Sequence, residues 1–147
     1  MLKRNISLLI GIVVFMFFIM MDIGYGYNPV QLEQLKTTNK CPFCDLSGAP
    51  LSGAQLKGAD VSSANLSSAN LSGATLSNSQ MSYTTMSSAN LSSANLYGAN
   101  LQGAKLQGAN LYKADISGAS LFGADLSGAI WIDGRICPPG SIGQCNK

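Results

Sequence analysis

From residue 46 onward, one large apolar residue returns at every fifth position. The series reads Leu46, Leu51, Leu56, Val61, Leu66, Leu71, Leu76, Met81, Met86, Leu91, Leu96, Leu101, Leu106, Leu111, Ile116, Leu121 and Leu126, with polar or small residues between. Two positions before each marker stands Ala, except at Cys44, Ser79 and Thr84. A period of five suits neither regular element. On an α-helix it advances by about 500°, so the markers spiral around the cylinder instead of forming a stripe. In a flat strand, a step of five puts alternate markers on opposite faces. A short extended segment that holds Ala and the marker on one side, followed by a corner, satisfies the pattern. The corner falls two residues after each marker, where Gly or Ser dominates (Gly48, Gly53, Gly58, Ser63, Ser68, Gly73) and a tight backbone is tolerated. Ala and Leu then fill the inside, while Asn, Asp, Ser and Gln face water.

Tandem A-(N/D)-L-x-x over residues 45–130 resembles the pentapeptide-repeat family. The resemblance implies an all-β fold: a right-handed quadrilateral parallel β-helix, four repeats to a coil, with a short helical cap at its N-terminal end. Seventeen repeats then give a little over four coils, a rod roughly 20 Å long at about 4.8 Å per coil. Its bore is filled by Leu and Ala, so function is expected on the outer faces or at the ends.

The flanks differ from the repeat. Residues 1–26 carry Lys3 and Arg4, an apolar run from Leu8 to Met21, and Gly24-Tyr25-Gly26, the pattern of a signal peptide cleaved after Gly26. Retained, the same segment is an anchor, the one route by which a membrane enters the picture. Residues 27–44 read as an N-terminal cap. Asn28-Pro29 opens a helix, and Val30, Leu32 and Leu35 are candidates to cover the first coil. Residues 131–147 read as a C-terminal cap, in which Trp131, Ile132 and Ile136, with Ile130 just before them, supply apolar cover ahead of the Pro/Gly loop "CPPGSIGQC". Caps are needed because terminal coils expose unpaired backbone.

Four cysteines lie outside or at the margin of the repeat: Cys41, Cys44, Cys137 and Cys145. In an exported chain they are expected as disulfides. Given the rod length that the resemblance implies, end-to-end pairing exceeds disulfide reach, which leaves Cys41–Cys44 and Cys137–Cys145. The same separation excludes a four-cysteine zinc site within one chain. "CPFC" also has the spacing of a redox dithiol. However, Cys44 falls in an Ala position of the repeat and no βαβ pattern surrounds it, so the structural cap is the expected role.

Composition narrows the functions further. Histidine is absent and only 11% of residues are charged, which removes the commonest general base and metal ligand. No catalytic, cofactor-binding or metal-binding residue is expected. Without Lys3, Arg4 and Asp22 the chain holds seven basic and six acidic side chains, a balance that gives no electrostatic case for nucleic acid. Asp60, Asp115 and Asp125 read as solvated decoration of the Asn/Asp slot. Residues 79–86, where Met and Ser or Thr replace Leu and Ala, read as drift or as a recognition patch around Tyr83. Tyr97, Tyr112 and Phe122 are expected to point outward on three different faces. Sequons at Asn65, Asn70 and Asn90 are generated by the repeat word itself. The function expected is a monomeric, non-enzymatic scaffold, secreted or periplasmic, whose partner is a macromolecule, foremost a protein. The alternatives are thiol–disulfide exchange at Cys41 and Cys44, and the DNA-mimic, gyrase-binding role of some pentapeptide-repeat proteins, which needs an acidic cytoplasmic rod. An ice-binding face would need a regular Thr array, which is missing.

Overall fold

The computed structural model describes residues 26–146. The expected signal segment therefore lies, apart from Gly26, outside the described residues. From Lys40 to Asn110, every fifth residue bridges, in parallel, to the residue twenty positions on: Asp45 to Asn65, Asn65 to Thr85, Thr85 to Lys105 and Lys105 to Asp125. The coil thus closes in four repeats and has four sides. Side 1 carries Lys40, Asp60, Gln80, Asn100 and Ser120; side 2 carries Asp45, Asn65, Thr85, Lys105 and Asp125. Side 3 carries Pro50, Asn70, Asn90, Asn110 and Ile130; side 4 carries Gln55, Thr75, Asn95 and Asp115.

Each corner is a turn in which the Ala N–H donates back to the marker carbonyl, as from Ala64 to Val61 at 3.0 Å. The residue two after the marker has positive φ at all seventeen corners, between 56° and 72°. Positive φ at the third residue of a four-residue turn is the type II signature, which explains the Gly at ten of these places. Ser fills four more, and Asn78, Tyr83 and Lys113 fill the rest. Between coils the ladder repeats three bonds per five residues, shown by Ser63 N to Ser82 O (2.9 Å), Asn65 N to Cys44 O (2.8 Å) and Leu66 N to Thr85 O (2.7 Å).

Inside, fifteen of the seventeen markers are buried; Ile116 and Leu121, in the last coil, are half-buried. The irregular segment 79–86 keeps the same geometry, with its bridges to 99–105 unbroken. Ser79 and Thr84 are fully buried in Ala positions, and each hydroxyl donates to the marker carbonyl of its own turn, Leu76 O and Met81 O, at 2.7 Å. That local bond removes the penalty a buried hydroxyl would carry. Met81 and Met86 fill the bore beside them.

Helix α1 (Pro29–Thr38) closes the N-terminal end. Asn28 caps it through Val30 N and Gln31 N, with Pro29 at the first helical position. Leu32 and Leu35 bury against the first coil, but Val30 is 48% exposed and covers nothing, contrary to the sequence expectation. It lies on the solvent side of a helix that needs only one apolar edge inward. Two of the first coil's downward N–H groups are answered individually: Asp45 N by Gln31 Oε1 at 2.7 Å, Lys40 N by Thr38 Oγ1 at 3.2 Å. Pro50, at the same place on side 3, has no N–H to satisfy.

At the other end the chain reverses after Trp131 and runs back antiparallel over the last coil. Ile130 bridges Ile136 and Asp125 bridges Ile142, with Gly128 N to Cys137 O at 2.9 Å and Leu126 N to Ser141 O at 2.8 Å. Sides 2 and 3 are covered in this way. Among the described residues, none bridges Asp115 or Ser120 from above. Ile130, Trp131 and Ile132 are half-buried, whereas Ile136 is 70% exposed. The expected cover from Ile136 is absent because its bridge with outward Ile130 turns its side chain outward too.

Candidate functional site

The interior leaves no room for a site, so the chemistry of this chain lies in its cysteines, its Asn/Asp slots and its corners. Cys41 occupies a marker position and Cys44 the following Ala position, with Phe43 between them at φ 60°. The pair is disulfide-bonded with Cα atoms 5.4 Å apart, and its members are 0% and 5% exposed. "CPFC" is therefore the first corner of the rod with a covalent bond in place of Leu–Ala packing. Cys137 and Cys145 are bonded with Cα atoms 5.0 Å apart, at 0% and 7% exposure, closing the return segment on itself. No free cysteine and no metal-capable cluster of side chains occur among the described residues.

The Asn/Asp slot is more than decoration, and here the reading of Asp60, Asp115 and Asp125 is corrected. The N–H of the residue after each marker takes no part in the ladder between coils. Where the slot is Asn or Asp, its side chain accepts it: Asn65 Oδ1 from Ser67 N (3.1 Å), Asp60 Oδ1 from Ser62 N (3.0 Å), Asp125 Oδ1 from Ser127 N (3.0 Å). These are Asx-type bonds that hold the corner, and they explain why short side chains with an oxygen recur there. The Ser117 side chain, and then its backbone N–H, hold the Asp115 carboxyl below its ordinary value; the Ser127 side chain and backbone do the same for Asp125. Hydrogen bonds to the ionised form favour it.

Outside, Tyr97, Tyr112 and Phe122 are exposed and occupy three different corners. Lys113 places its Nζ 5.1 Å from the Tyr112 ring centroid, a cation–π distance. Two aromatic residues outside that trio change the picture, because Phe43 and Tyr83 stand on the same corner as Phe122. The ladder there runs Phe43 N to Ser62 O, Ser63 N to Ser82 O, Tyr83 N to Gln102 O and Gly103 N to Phe122 O, each between 2.8 and 3.0 Å. In rows of twenty, Phe43 and Tyr83 fall in one column and Phe122 in the column beside it.

The family model for pentapeptide repeats matches residues 44–82 and 89–128, in eight copies. The chain belongs to the pentapeptide-repeat family. The break in the match falls on the irregular repeats, whose geometry is nonetheless that of the rest. Among solved structures, the chain resembles a pentapeptide-repeat protein from the thylakoid lumen of Arabidopsis thaliana at 27% identity. That similarity covers 71% of this chain and 75% of the other, with a TM-score of 0.51. Two cyanobacterial members are closer in sequence. The Nostoc protein is 35% identical over 69% of this chain and 82% of its own, at a TM-score of 0.39. The Cyanothece protein Rfr23 is 32% identical over 67% and 88%, at 0.38. No curated protein matches the chain in sequence. As a pentapeptide-repeat protein it is a right-handed quadrilateral β-helix, and its two disulfide pairs sit one at each end.

Proposed function

We propose that this pentapeptide-repeat protein is an exported, non-enzymatic scaffold that presents its outer walls to another macromolecule. The observation that carries the reading is the pairing of all four cysteines within a rod whose bore is filled by Leu and Ala. Disulfides persist in oxidising compartments, and the resemblance to a thylakoid-lumen protein fits a location across a membrane. A filled bore leaves only walls and ends for recognition. Thiol–disulfide exchange fits less well, because an incoming thiolate must reach sulfur and both Cys41 and Cys44 are buried. A DNA-mimic role fits less well still, since side 2 alternates Asp45, Asn65, Thr85, Lys105 and Asp125 instead of presenting an acidic wall.

The test is the mass and thiol content of the protein recovered from its host. An exported scaffold has lost residues 1–26 and carries two disulfides that resist glutathione. Recovery from the cytosol, reduced and at full mass, would overturn the reading.

A further inference from the structure

The C-terminal end of the rod is a step. Sides 4 and 1 stop at Asp115 and Ser120, whereas sides 2 and 3 carry the return segment as one further layer. On the low half, the backbone groups that would hold a next coil have no partner among the described residues. They are Ala114 O and Ile116 N on side 4, and Ala119 O and Leu121 N on side 1. Ile116, Ala119 and Leu121 are themselves only half-buried. An open sheet edge over a partly bare core is a template for another strand.

The high half carries the matching set. Ile130–Ile136 and Asp125–Ile142 are the non-hydrogen-bonded pairs of the antiparallel ladder, because its bonds run through their neighbours. Those bonds are Cys137 N to Ala129 O, Trp131 N to Arg135 O, Gly143 N to Ala124 O and Leu126 N to Ser141 O. The N–H and C=O of Ile136 and Ile142 therefore point away from their own rod, and among the described residues nothing bonds to them. Between them, Pro138 and Pro139 have no N–H to satisfy.

The two halves are complementary in height as well as in chemistry. A coil rises about 4.8 Å over its four sides, so each side stands about 1.2 Å above the one before. Taken from side 4, side 1 stands at about 1.2 Å, and sides 2 and 3, with their extra layer, at about 7.2 and 8.4 Å. Consider a two-fold axis across the rod, through the corner between sides 1 and 2 and the corner between sides 3 and 4. It sets side 3 of one copy over side 4 of the other, and side 2 over side 1. The paired heights then total about 8.4 Å on every side, so both halves close together. The other diagonal sets high on high and low on low, and leaves the open edges apart. A foreign strand laid on the low half would leave Ile136 and Ile142 unanswered; a second copy uses both halves.

We propose that this step is a self-association surface: two copies join end to end, each return segment completing the coil that the other leaves open. The return segment, antiparallel to its own coil, runs parallel to the second copy's, and Ile136 and Ile142 follow in the order of Asp115 and Ser120. The register is the one used between coils, where Thr85 N donates to Ala64 O and Leu66 N to Thr85 O. Ile136 N thus donates to Ala114 O of the second copy, and Ile116 N of that copy to Ile136 O. Ile142 does the same over Ala119 and Leu121, and the symmetry repeats the set. Such a contact is isologous and closes at two copies. This goes beyond the scaffold reading and replaces the single copy expected from the sequence.

The test is sedimentation equilibrium between about 1 and 100 µM, with hydrogen exchange on the same samples. The protein is produced with its own N-terminal segment and recovered with both disulfides formed. We expect twice the mass of the recovered chain at the upper concentrations, and protection of the Ile116 and Leu121 amides that is lost on dilution. Ile136→Pro with Ile142→Pro removes two N–H groups that make no bond within the chain. It should weaken pairing at least about tenfold. Retained protection at the Leu126 and Gly128 amides shows that the return segment of this variant is in place. Ile136→Ala with Ile142→Ala trims exposed side chains but keeps both N–H groups, and should still pair. A single-copy mass throughout, or masses that grow beyond two copies, would overturn the proposal. So would unprotected Ile116 and Leu121 amides in a two-copy species, or pairing that survives the proline variant and fails in the alanine one.

Discussion

Replacing Asn90 by Ala removes the acceptor of the Ser92 N–H, a bond of 3.1 Å in a half-buried corner. That amide has no other acceptor on the ladder, so the expected loss is about 1 kcal/mol, whereas Asn90→Asp should retain nearly all of it; urea melts of the two variants decide. The carboxylates in the same slot add a pH dependence. Asp125 and Asp115 are held below their ordinary value of 3.8 by bonds to Ser127 and Ser117. Their contribution is therefore present above the usual carboxylate range and is lost as pH falls through the lowered folded values. The stability lead of the wild type over Asp125→Asn should narrow below about pH 4, as measured by thermal melts between pH 7 and 2. At this scale the sequence was partly legible. Marker, Ala and corner announce themselves because burial and positive φ each select a narrow set of residues. The Asn/Asp slot does not, because a side chain facing water and one bonded to its own backbone leave the same letter.

Among the elements, the caps were the least legible. The helix start at Asn28-Pro29 and the buried pair Leu32 and Leu35 follow from capping chemistry and spacing. The reversal after Trp131 does not, since its register comes from pairing with the last coil and no local signal sets it. For that reason Ile136 read as cover and proved exposed. The Cys137–Cys145 bond is buried and closes this returning segment, so it should matter despite the short loop it spans. Cys137→Ala with Cys145→Ala is expected to cost about 2 kcal/mol, toward the low end for so short a loop. Loss of protection at the Leu126 and Gly128 amides, which donate to Ser141 O and Cys137 O, is the hydrogen-exchange readout. The two corners next to the disulfide at the other end, Ala49–Leu46 and Ala54–Leu51, should be unaffected.

For the whole molecule, stability should scale with the number of stacked coils, because each touches only its neighbours. Deleting residues 87–106 joins Met86 to Gln107, removes one coil and keeps every remaining bridge in its column. The shortened protein should show the same circular dichroism per residue and melt at a lower temperature; a random-coil spectrum would contradict the coil-by-coil account. The shared aromatic corner was harder to read than the rod, because Phe43 lies outside the repeat and Tyr83 within its irregular segment. The coil's closure after twenty residues also bears on how such proteins diverge. Gain or loss of a single repeat leaves each Leu and Ala inside, yet swings everything downstream through a quarter revolution. Descendants that differ by one repeat thus keep the same interior and bring unrelated side chains into line. The frame is inherited in fives, the recognition surface in twenties.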